Sequence, residues 1–313
     1  MTSMLQNDKW KSAQEYAADF AQELQDFPPP SDEVFWHKDN TSDHLPVKAM
    51  VQDESVVLLS WNLCNSVWMK YQEAREDSGQ RLYDHPAFAK ENRESRLLSQ
   101  KDYIEKQIVL HQRDCLIIFL QEVSPLMLLI LEKCFEKTHQ VLSFATNEKE
   151  NNYNVTMLPR SHVTFNFVFD YGLSEKFQEF AKEKTAVLYL IKLNATNENL
   201  IIVNAHLDFG TNKKFAEALL EEAACQNGRI LVAGDFNASL RTPVAGECDN
   251  VTSIYTDSNR FRFFSYRPTY NHLNLFQNTV DKNVPGLENG YIPRMYDHFD
   301  HFLVVNPPIN DLA

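Results

Sequence analysis

Glycine is scarce in this chain, with 8 residues among 313, and no glycine-rich GxxxxGK phosphate loop occurs. The 5 cysteines are odd in number and form no CxxC pair, which argues against a disulfide framework or a zinc knuckle and favours reduced thiols. No apolar run approaches the roughly 20 residues that span a bilayer. The N-terminal residues lack the basic segment followed by an apolar segment that is typical of a secretory signal peptide. We therefore expect a soluble, cytoplasmic protein, with a non-standard export signal left open.

Acidic residues outnumber basic ones. The chain has 30 Lys and Arg against 43 Asp and Glu, which gives a formal net charge of -13. This balance argues against a surface that wraps nucleic acid, since phosphate binding usually leaves a Lys/Arg footprint. It does not exclude a nuclease, because a metal ion can supply the positive charge within a small pocket. With 43% hydrophobic residues, the chain can form a sizeable core.

Residues 1–50 are predicted to be a helical N-terminal extension, either packed on the main domain or binding a partner. Apolar side chains recur there at roughly helical spacing, at Trp10, Tyr16, Phe20, Leu24 and Phe27. The segment "PPPSDE" ends this pattern. The main domain is predicted to cover 51–313, with an aromatic-rich insertion at about 66–92 that interrupts the pattern of the domain.

Short apolar, β-branched runs indicate strands in the main domain. They lie at 55–65, 114–123, 184–193, 199–208, 229–237 and 300–306. Segments with helical spacing fall between them at 93–112 and 212–226. Strands that alternate with helices and are apolar on both faces predict a layered α/β domain.

Polar side chains occur at or near the ends of these strands, and packing of an apolar core does not account for them. They are Asn62, Gln121, Glu122, Asn204, His206, Asp235, Asn237, Asp300 and His301. Carboxylates on neighbouring strand ends cost free energy unless a cation or a proton compensates their charge. Oxygen ligands from Asn, Asp and Glu suit Mg²⁺ or Mn²⁺, and histidines beside them transfer protons near neutral pH.

Four motifs in a fixed order carry a family resemblance. The segments "SWNLCN", "FLQEV", "VNAHLD" and "VAGDFNAS" resemble the motif series of the endonuclease/exonuclease/phosphatase superfamily, the deoxyribonuclease I-like metal-dependent phosphohydrolases. The resemblance covers roughly residues 55–306. It implies an α/β fold of two packed, mostly antiparallel β-sheets flanked by outer helices, in a four-layer sandwich.

The resemblance also implies roles for individual residues of a Mg²⁺-dependent phosphoesterase. Glu122 would hold Mg²⁺ (or Mn²⁺), helped by Asn62. His206 would bind and polarise the phosphoryl oxygens. Asp235 would orient or deprotonate the attacking water, and Asn237 would position the phosphate.

The substrate is predicted only as a phosphate ester, which leaves nucleic acid, nucleotide, phospholipid and inositol phosphate open. Specificity is expected from the insertion at about 66–92 and from the segment "RFRFFSYRPTY". Arg267 lies among aromatic residues in that segment, which suits phosphate pairing and base stacking. Asn204 and Arg267 are assigned to substrate binding, and the sequence does not indicate an oligomeric state.

The C-terminal part departs from the motif series, which continues with an Asp strand and, tens of residues later, S-D-H. In "MYDHFDHFLVV", Asp300 can match the Asp strand, so that S-D-H is missing. Alternatively Asp300 and His301 match S-D-H, with Phe299 in place of Ser. A third possibility is that His298 and Asp300 pair on one face of a strand. We assign Asp300 and His301 as catalytic, with His298 in reserve.

The shortened C-terminal motif supports an alternative function. A family member that lacks the acid/base histidine would be catalytically impaired and would act as a binding module. Metal binding that depends on Glu122 would separate an enzyme from a pure scaffold.

Overall fold

The apolar runs form strands and the segments with helical spacing form helices. In chain order the strands are β1 (Val47–Val51), β2 (Val56–Asn62), β3 (Cys115–Val123), β4 (His139–Asn147), β5 (Asn152–Pro159), β6 (Val163–Val168), β7 (Ala186–Leu193), β8 (Asn199–His206), β9 (Ile230–Asp235), β10 (Phe261–Phe264), β11 (Tyr270–His272), β12 (Met295–Asp297) and β13 (Asp300–Val305). The helices are α1 (Arg93–Leu110), α2 (Pro125–Phe135), α3 (Glu175–Glu183) and α4 (Asn212–Cys225).

These elements come from a computed structural model, which describes part of the chain. The described residues are 42, 44, 46–51, 56–64, 93–147, 152–168, 173–208, 210–238, 254–255, 260–264, 270–272, 295–297 and 300–306. The predicted N-terminal helix, the insertion at about 66–92, Arg267 and His298 lie outside them. No helix in the described ranges is long and apolar enough to cross a membrane.

The strands form two large sheets and one small one. The first sheet has the order β1-β2-β3-β5-β4, the second has the order β10-β13-β9-β8-β7-β6, and β11 pairs with β12. The pairs β2–β3 and β8–β9 are parallel, and the remaining pairs are antiparallel. The mostly antiparallel arrangement that the resemblance implies is therefore confirmed.

The two large sheets pack face to face, and helices cover their outer faces. One buried cluster lies between the sheets and includes Leu58, Phe119 and Ile202. A second joins the first sheet to α1 and α2, and a third joins the second sheet to α3 and α4. Because successive strand residues point to opposite faces, strands in the middle of such a stack are apolar on both sides. The predicted four-layer α/β sandwich is confirmed.

Two of the helices, α2 and α3, begin at serine caps. The hydroxyl of Ser124 accepts the backbone N–H of Met127, and Pro125 occupies the first turn of α2. The hydroxyl of Ser174 accepts the N–H of Phe177 at the start of α3 in the same way. These caps fix the point at which the chain leaves each sheet and turns onto its outer face.

The first strand begins earlier than the predicted domain. β1 pairs with β2 from Val47↔Ser60 to Val51↔Val56, so the boundary predicted after residue 50 falls inside a strand. Residues 47–50 therefore belong to the sheet, and Ser42 and His44 are buried against it. The strand is short and its exposure alternates along "VKAMV", because it is covered on one face only.

Candidate functional site

Polar side chains of the two sheets meet at one edge of the space between them. Leu231 and Ala233 of β9 pack between the sheets, and Asp235 follows on the same face. The parallel pairs β2–β3 and β8–β9 end at this edge, whereas β13 runs antiparallel to β9 and begins there. The sequence pattern of apolar runs with polar ends therefore corresponds to a single place in the fold.

Asp235 lies at the centre of this edge. The register of the second sheet places His206 beside it on β8 and Asp300 beside it on β13. Its Oδ1 accepts the backbone N–H of Asn237 at 2.8 Å, and its Oδ2 accepts the side-chain amide of Asn62 at 2.9 Å. The carboxylate is only 1% exposed, so its position is set by these donors.

The glycine before Asp235 lets β8 and β9 approach each other. A Cβ atom on Gly234 would lie 1.8 Å from the carbonyl oxygen of Ala205, in the neighbouring strand. This is one of the chain's few glycines, and no other residue fits the space without displacing β8. The close approach sets His206 beside Asp235.

Glu122 reaches the site through an irregularity in β3. The register with β5 shifts between Leu120 and Val123, and Glu122 has a φ of 52°, which is uncommon for a residue other than glycine. Its carboxylate accepts from Asn62 Nδ2 at 3.1 Å and remains 14% exposed. Left-handed backbone of this kind costs on the order of 1 kcal/mol and is concentrated at functional sites.

Asn62 joins the two acidic residues. Its Nδ2 donates to both Glu122 and Asp235, and its Oδ1 accepts the backbone N–H of Cys64 at 2.9 Å. The Cys64 bond fixes which end of the amide faces the carboxylates, because a backbone N–H can only donate. In this geometry the Asn62 side chain holds two carboxylates together as a donor, and its predicted part in holding the metal ion stays a prediction.

His206 lies between the same carboxylates. Its Nε2 is 3.6 Å from Glu122 Oε1 and 3.9 Å from Asp235 Oδ2, and the side chain is 17% exposed. Asn237 follows Asp235 with a φ of 46°, and its side-chain amide donates to the carbonyl of Leu207 at 2.9 Å. The structure thus brings together Asn62, Glu122, His206, Asp235, Asn237 and Asp300.

A further histidine, His44, completes the group and was missed by sequence reasoning. Its Nδ1 lies 2.8 Å from Asp300 Oδ2, and its Nε2 lies 3.7 Å from Asp235 Oδ2. The ring is buried, and the residue precedes β1. The segment had been assigned to an extension because it precedes the first strongly apolar run.

The sequence does contain a signal for His44. Residues Ser42, Asp43 and His44 spell S-D-H, the tripeptide that the motif series places last. Here it comes before "SWNLCN", so a search confined to the C-terminal part misses it.

The structure does not bring His301 to the site. His301 follows Asp300 on β13, so its side chain points to the opposite face of the sheet. There its Nε2 donates to the carbonyl of Ala238 at 3.0 Å, and its ring meets Phe236 at 5.4 Å. His301 therefore packs between the sheet and the outer helices, and its catalytic role stays a prediction that these contacts do not favour.

Asn204 is also buried away from the open part of the site. Its Oδ1 accepts from Gln121 Nε2 at 2.9 Å, and its Nδ2 donates to the carbonyl of Val155 at 3.0 Å. These contacts cross the space between the sheets. Asn204 therefore forms a polar link between the two sheets, and its role in substrate binding stays a prediction. Arg267 lies outside the described residues.

The donor set fits a divalent cation. Glu122, Asp235 and Asp300 place three carboxylates in one site, and like charges at this density are stabilised by a cation. Ligand atoms of His44, Asp235 and Asp300 lie within 4.8 Å of one another. His44 Nδ1 is already bonded to Asp300, so these two residues of the trio form a histidine–carboxylate pair. Glu122, whose side chain is 14% exposed, is the carboxylate of the site that solvent reaches.

No protein-family model matches the chain, and no curated protein matches it. Among solved structures, an endonuclease/exonuclease/phosphatase family protein of Bacteroides thetaiotaomicron is 13% identical to this chain. The TM-score is 0.49, over 84% of this chain and 82% of that chain. A mannosyl-6-phosphatase of the same species is 13% identical with a TM-score of 0.47, over 79% of this chain and 84% of that chain. The human Nocturnin catalytic domain is 12% identical with a TM-score of 0.44, over 83% and 85% of the two chains.

Proposed function

We propose that the chain is a Mg²⁺- or Mn²⁺-dependent phosphoesterase in which water attacks a phosphoryl group. The observation that carries this proposal is the double hydrogen bond of Asn62 to Glu122 and Asp235. It sets a partly exposed carboxylate beside a buried one, with the imidazoles of His206 and His44 next to them. Metal ligand, proton acceptor and hydrogen-bond donors are the groups that phosphoester hydrolysis needs.

Glu122 is the residue that would hold the metal ion. It is an oxygen ligand on the exposed side of the site, and hard divalent cations prefer such ligands. When bound there, the ion supplies Lewis-acid polarisation of a phosphoryl oxygen. Asn62 keeps the Glu122 carboxylate in place through its amide nitrogen.

Asp235 is the group that orients the attacking water and accepts its proton. One carboxylate oxygen is fixed by the N–H of Asn237, and the other faces His44 and His206. Two fixed donors restrict the carboxylate to one orientation, so the position of a bound water is restricted too. Asn237 retains its proposed role in positioning the phosphate.

Besides Asp235, the pair of His44 and Asp300 takes part in proton transfer. His44 Nδ1 is hydrogen-bonded to the Asp300 carboxylate, and Nε2 faces Asp235. Nε2 is then the atom that takes or returns a proton during the reaction. His206 is proposed to bind the phosphoryl oxygens from the other side of Asp235.

The substrate class stays at the level of phosphate esters: nucleic acid, nucleotide, phospholipid head group or inositol phosphate. The described surface does not include the insertion at about 66–92 or Arg267, where specificity is proposed to lie. A panel of such esters, together with bis-p-nitrophenyl phosphate, tests the proposal in buffers with Mg²⁺, Mn²⁺ or EDTA.

The control for this panel is a matched acidic substitution. Glu122→Gln is expected to abolish metal-dependent hydrolysis, whereas Glu132→Gln, on the exposed side of α2, keeps it. Equal activity of wild type and Glu122→Gln would contradict the proposed metal ligand. Absence of hydrolysis on every ester, with titration calorimetry showing no Mg²⁺ or Mn²⁺ binding, would overturn the enzyme proposal.

A further inference from the structure

The position of His44 depends on residues that take no direct part in the proposed reaction. His44 lies ahead of β1 as a single β-bridge residue, and the β1–β2 ladder begins at Val47, opposite Ser60. The backbone of His44 is therefore outside this ladder. Its Nδ1 lies 2.8 Å from Asp300, and further contacts hold the segment in this position.

Two adjacent residues of β2 supply these contacts. The indole Nε1 of Trp61 donates to the carbonyl of His44 at 2.9 Å. The hydroxyl of Ser42 donates to the carbonyl of Asn62 at 2.6 Å and accepts the N–H of His44 at 3.2 Å. The backbone N–H and the carbonyl of His44 are therefore both hydrogen-bonded, the N–H to Ser42 and the carbonyl to the Trp61 side chain.

Trp61 itself is buried on the other face of the first sheet. Its side chain is fully buried in the cluster with α1 and α2, and its ring meets Tyr103 edge to face at 5.1 Å. The body of the side chain belongs to the core, and only its polar edge reaches the segment before β1. A buried indole N–H needs an acceptor, and here the acceptor belongs to a residue of the site.

We propose that Trp61 is a positioning residue for the reaction, which holds His44 against Asp300 and Asp235 through its indole N–H. This inference rests on the proposed function, because it assigns Trp61 to the same site. The physical reason is geometric: a shift of about 1 Å in a catalytic group can cost up to a hundredfold in rate. Ser42 acts with Trp61 on the same backbone unit.

The test is Trp61→Phe in the full chain, which removes the donor and keeps an aromatic ring in the core. With the best ester of the panel, kcat is expected to fall roughly tenfold to a hundredfold, with KM little changed. In parallel, NMR follows the downfield Nδ1 proton of the His44–Asp300 pair, assigned by its loss in His44→Gln. This proton is expected to exchange faster in Trp61→Phe.

Two controls separate positioning from packing. Ile104→Val trims a buried side chain in the same cluster without touching His44, so it lowers Tm and leaves kcat and the Nδ1 proton unchanged. In the His44→Gln background, Trp61→Phe has no further effect on kcat, since the residue it positions is already absent. Ser42→Ala reproduces the effect of Trp61→Phe, and Ser42→Thr, which keeps the hydroxyl, restores most of the activity.

The inference is overturned if Trp61→Phe leaves the Nδ1 proton unchanged. It is equally overturned if the substitution lowers kcat by the same factor with and without His44. The NMR measurement needs no substrate, so it decides the role of Trp61 even when no ester is hydrolysed. Failure of the proposed function and failure of this inference are thereby distinguishable. If Trp61→Phe does not fold, Trp61→Met, which also lacks the indole N–H, carries the same test.

Discussion

His44 Nδ1 lies 2.8 Å from Asp300 Oδ2, although 256 positions separate the two residues in the chain. His44 precedes the first strand of the domain, and Asp300 begins the last described strand. Both side chains are almost fully buried, so neither is held by solvent. The pair exists only when the segment before β1 has docked against β13, which couples formation of the site to completion of the fold.

The first prediction concerns this pair. His44→Gln and Asp300→Asn are each expected to lower kcat by roughly 10²–10⁴, because each removes the same proton-transfer unit. The double variant is expected to lose no more than the single variants, since residues that act as one unit are not additive. Steady-state kinetics on the best ester of the panel measures all three.

A matched surface pair provides the control. His111 Nδ1 lies 2.9 Å from Asp114 Oδ2, at the end of α1 and away from the site. His111→Gln and Asp114→Asn keep full kcat. If the effects of His44→Gln and Asp300→Asn multiply in the double variant, the two residues act independently and the proposed pair is wrong.

The second prediction concerns the charge that surrounds Asn62. Asn62→Asp replaces a donor to Glu122 and Asp235 by a further carboxylate. In EDTA the free energy of unfolding is expected to fall by about 1–3 kcal/mol, since two carboxylates lose their donor. Mg²⁺ or Mn²⁺ restores more stability to this variant than to wild type.

Urea unfolding with EDTA and with each cation measures this effect. Asn199→Asp, at the exposed start of β8, adds the same charge outside the site and serves as the control. A cation effect that is equal in Asn62→Asp, Asn199→Asp and wild type would argue against a cation site at these carboxylates.

The strands and the edge of the site were predictable from the sequence, because burial on both faces leaves apolar runs with a polar residue at the end. Glu122 and Asp235 were found in this way, and the structure brings them together through Asn62. His44 was not found by that rule. It follows no apolar run, and its contact with Asp300 depends on tertiary packing across most of the chain.

The chemistry of a residue was easier to predict than the direction of its side chain. Asp300 and His301 are adjacent, so the alternation of a strand allows only one of them to face the site, and the sequence does not say which. Asn62 lies beside Glu122 and Asp235, but its role as a donor follows from the N–H of Cys64, which fixes the amide orientation. Asn204 has the same amide and serves instead to link the sheets.

The third prediction tests whether His301 has a packing role or a catalytic role. His301→Leu removes the hydrogen bond to the carbonyl of Ala238 and leaves the site face of β13 unchanged. The free energy of unfolding is expected to fall by about 1–3 kcal/mol, because a buried carbonyl loses its donor. Activity per folded molecule stays within twofold of wild type. A loss of kcat comparable to that of His44→Gln would return His301 to the site.

The fourth prediction tests whether Asn204 links the two sheets or binds substrate. Asn204→Leu leaves the Gln121 amide and the Val155 carbonyl without these partners in the space between the sheets. Urea unfolding is expected to show a loss of about 1–3 kcal/mol for each buried group left unsatisfied. KM for the best ester stays unchanged below the unfolding transition. A selective rise in KM with intact stability would support the original assignment to substrate binding.

The fifth prediction concerns acid sensitivity away from the site. His139 begins β4 and is buried, and this burial, aided by the charges of Arg160 and His162, lowers its pKa from 6.5 to about 4. The unfolded chain therefore binds more protons than the folded chain between these two pH values, so stability falls as the pH falls. The full stability from this group is present above pH 6.5 and is lost progressively down to about pH 4.

His139→Gln removes this source of acid sensitivity. Between pH 6.5 and pH 4, wild type is expected to lose up to about 3 kcal/mol more stability than the variant, because each pKa unit corresponds to about 1.4 kcal/mol. Urea unfolding at half-unit pH steps measures the difference. His111→Gln removes an imidazole from the end of α1 and controls for the general effect of losing a titratable group. If the two variants follow the same pH profile, the buried imidazole of His139 does not cause the acid sensitivity, and the carboxylates of the domain must account for it.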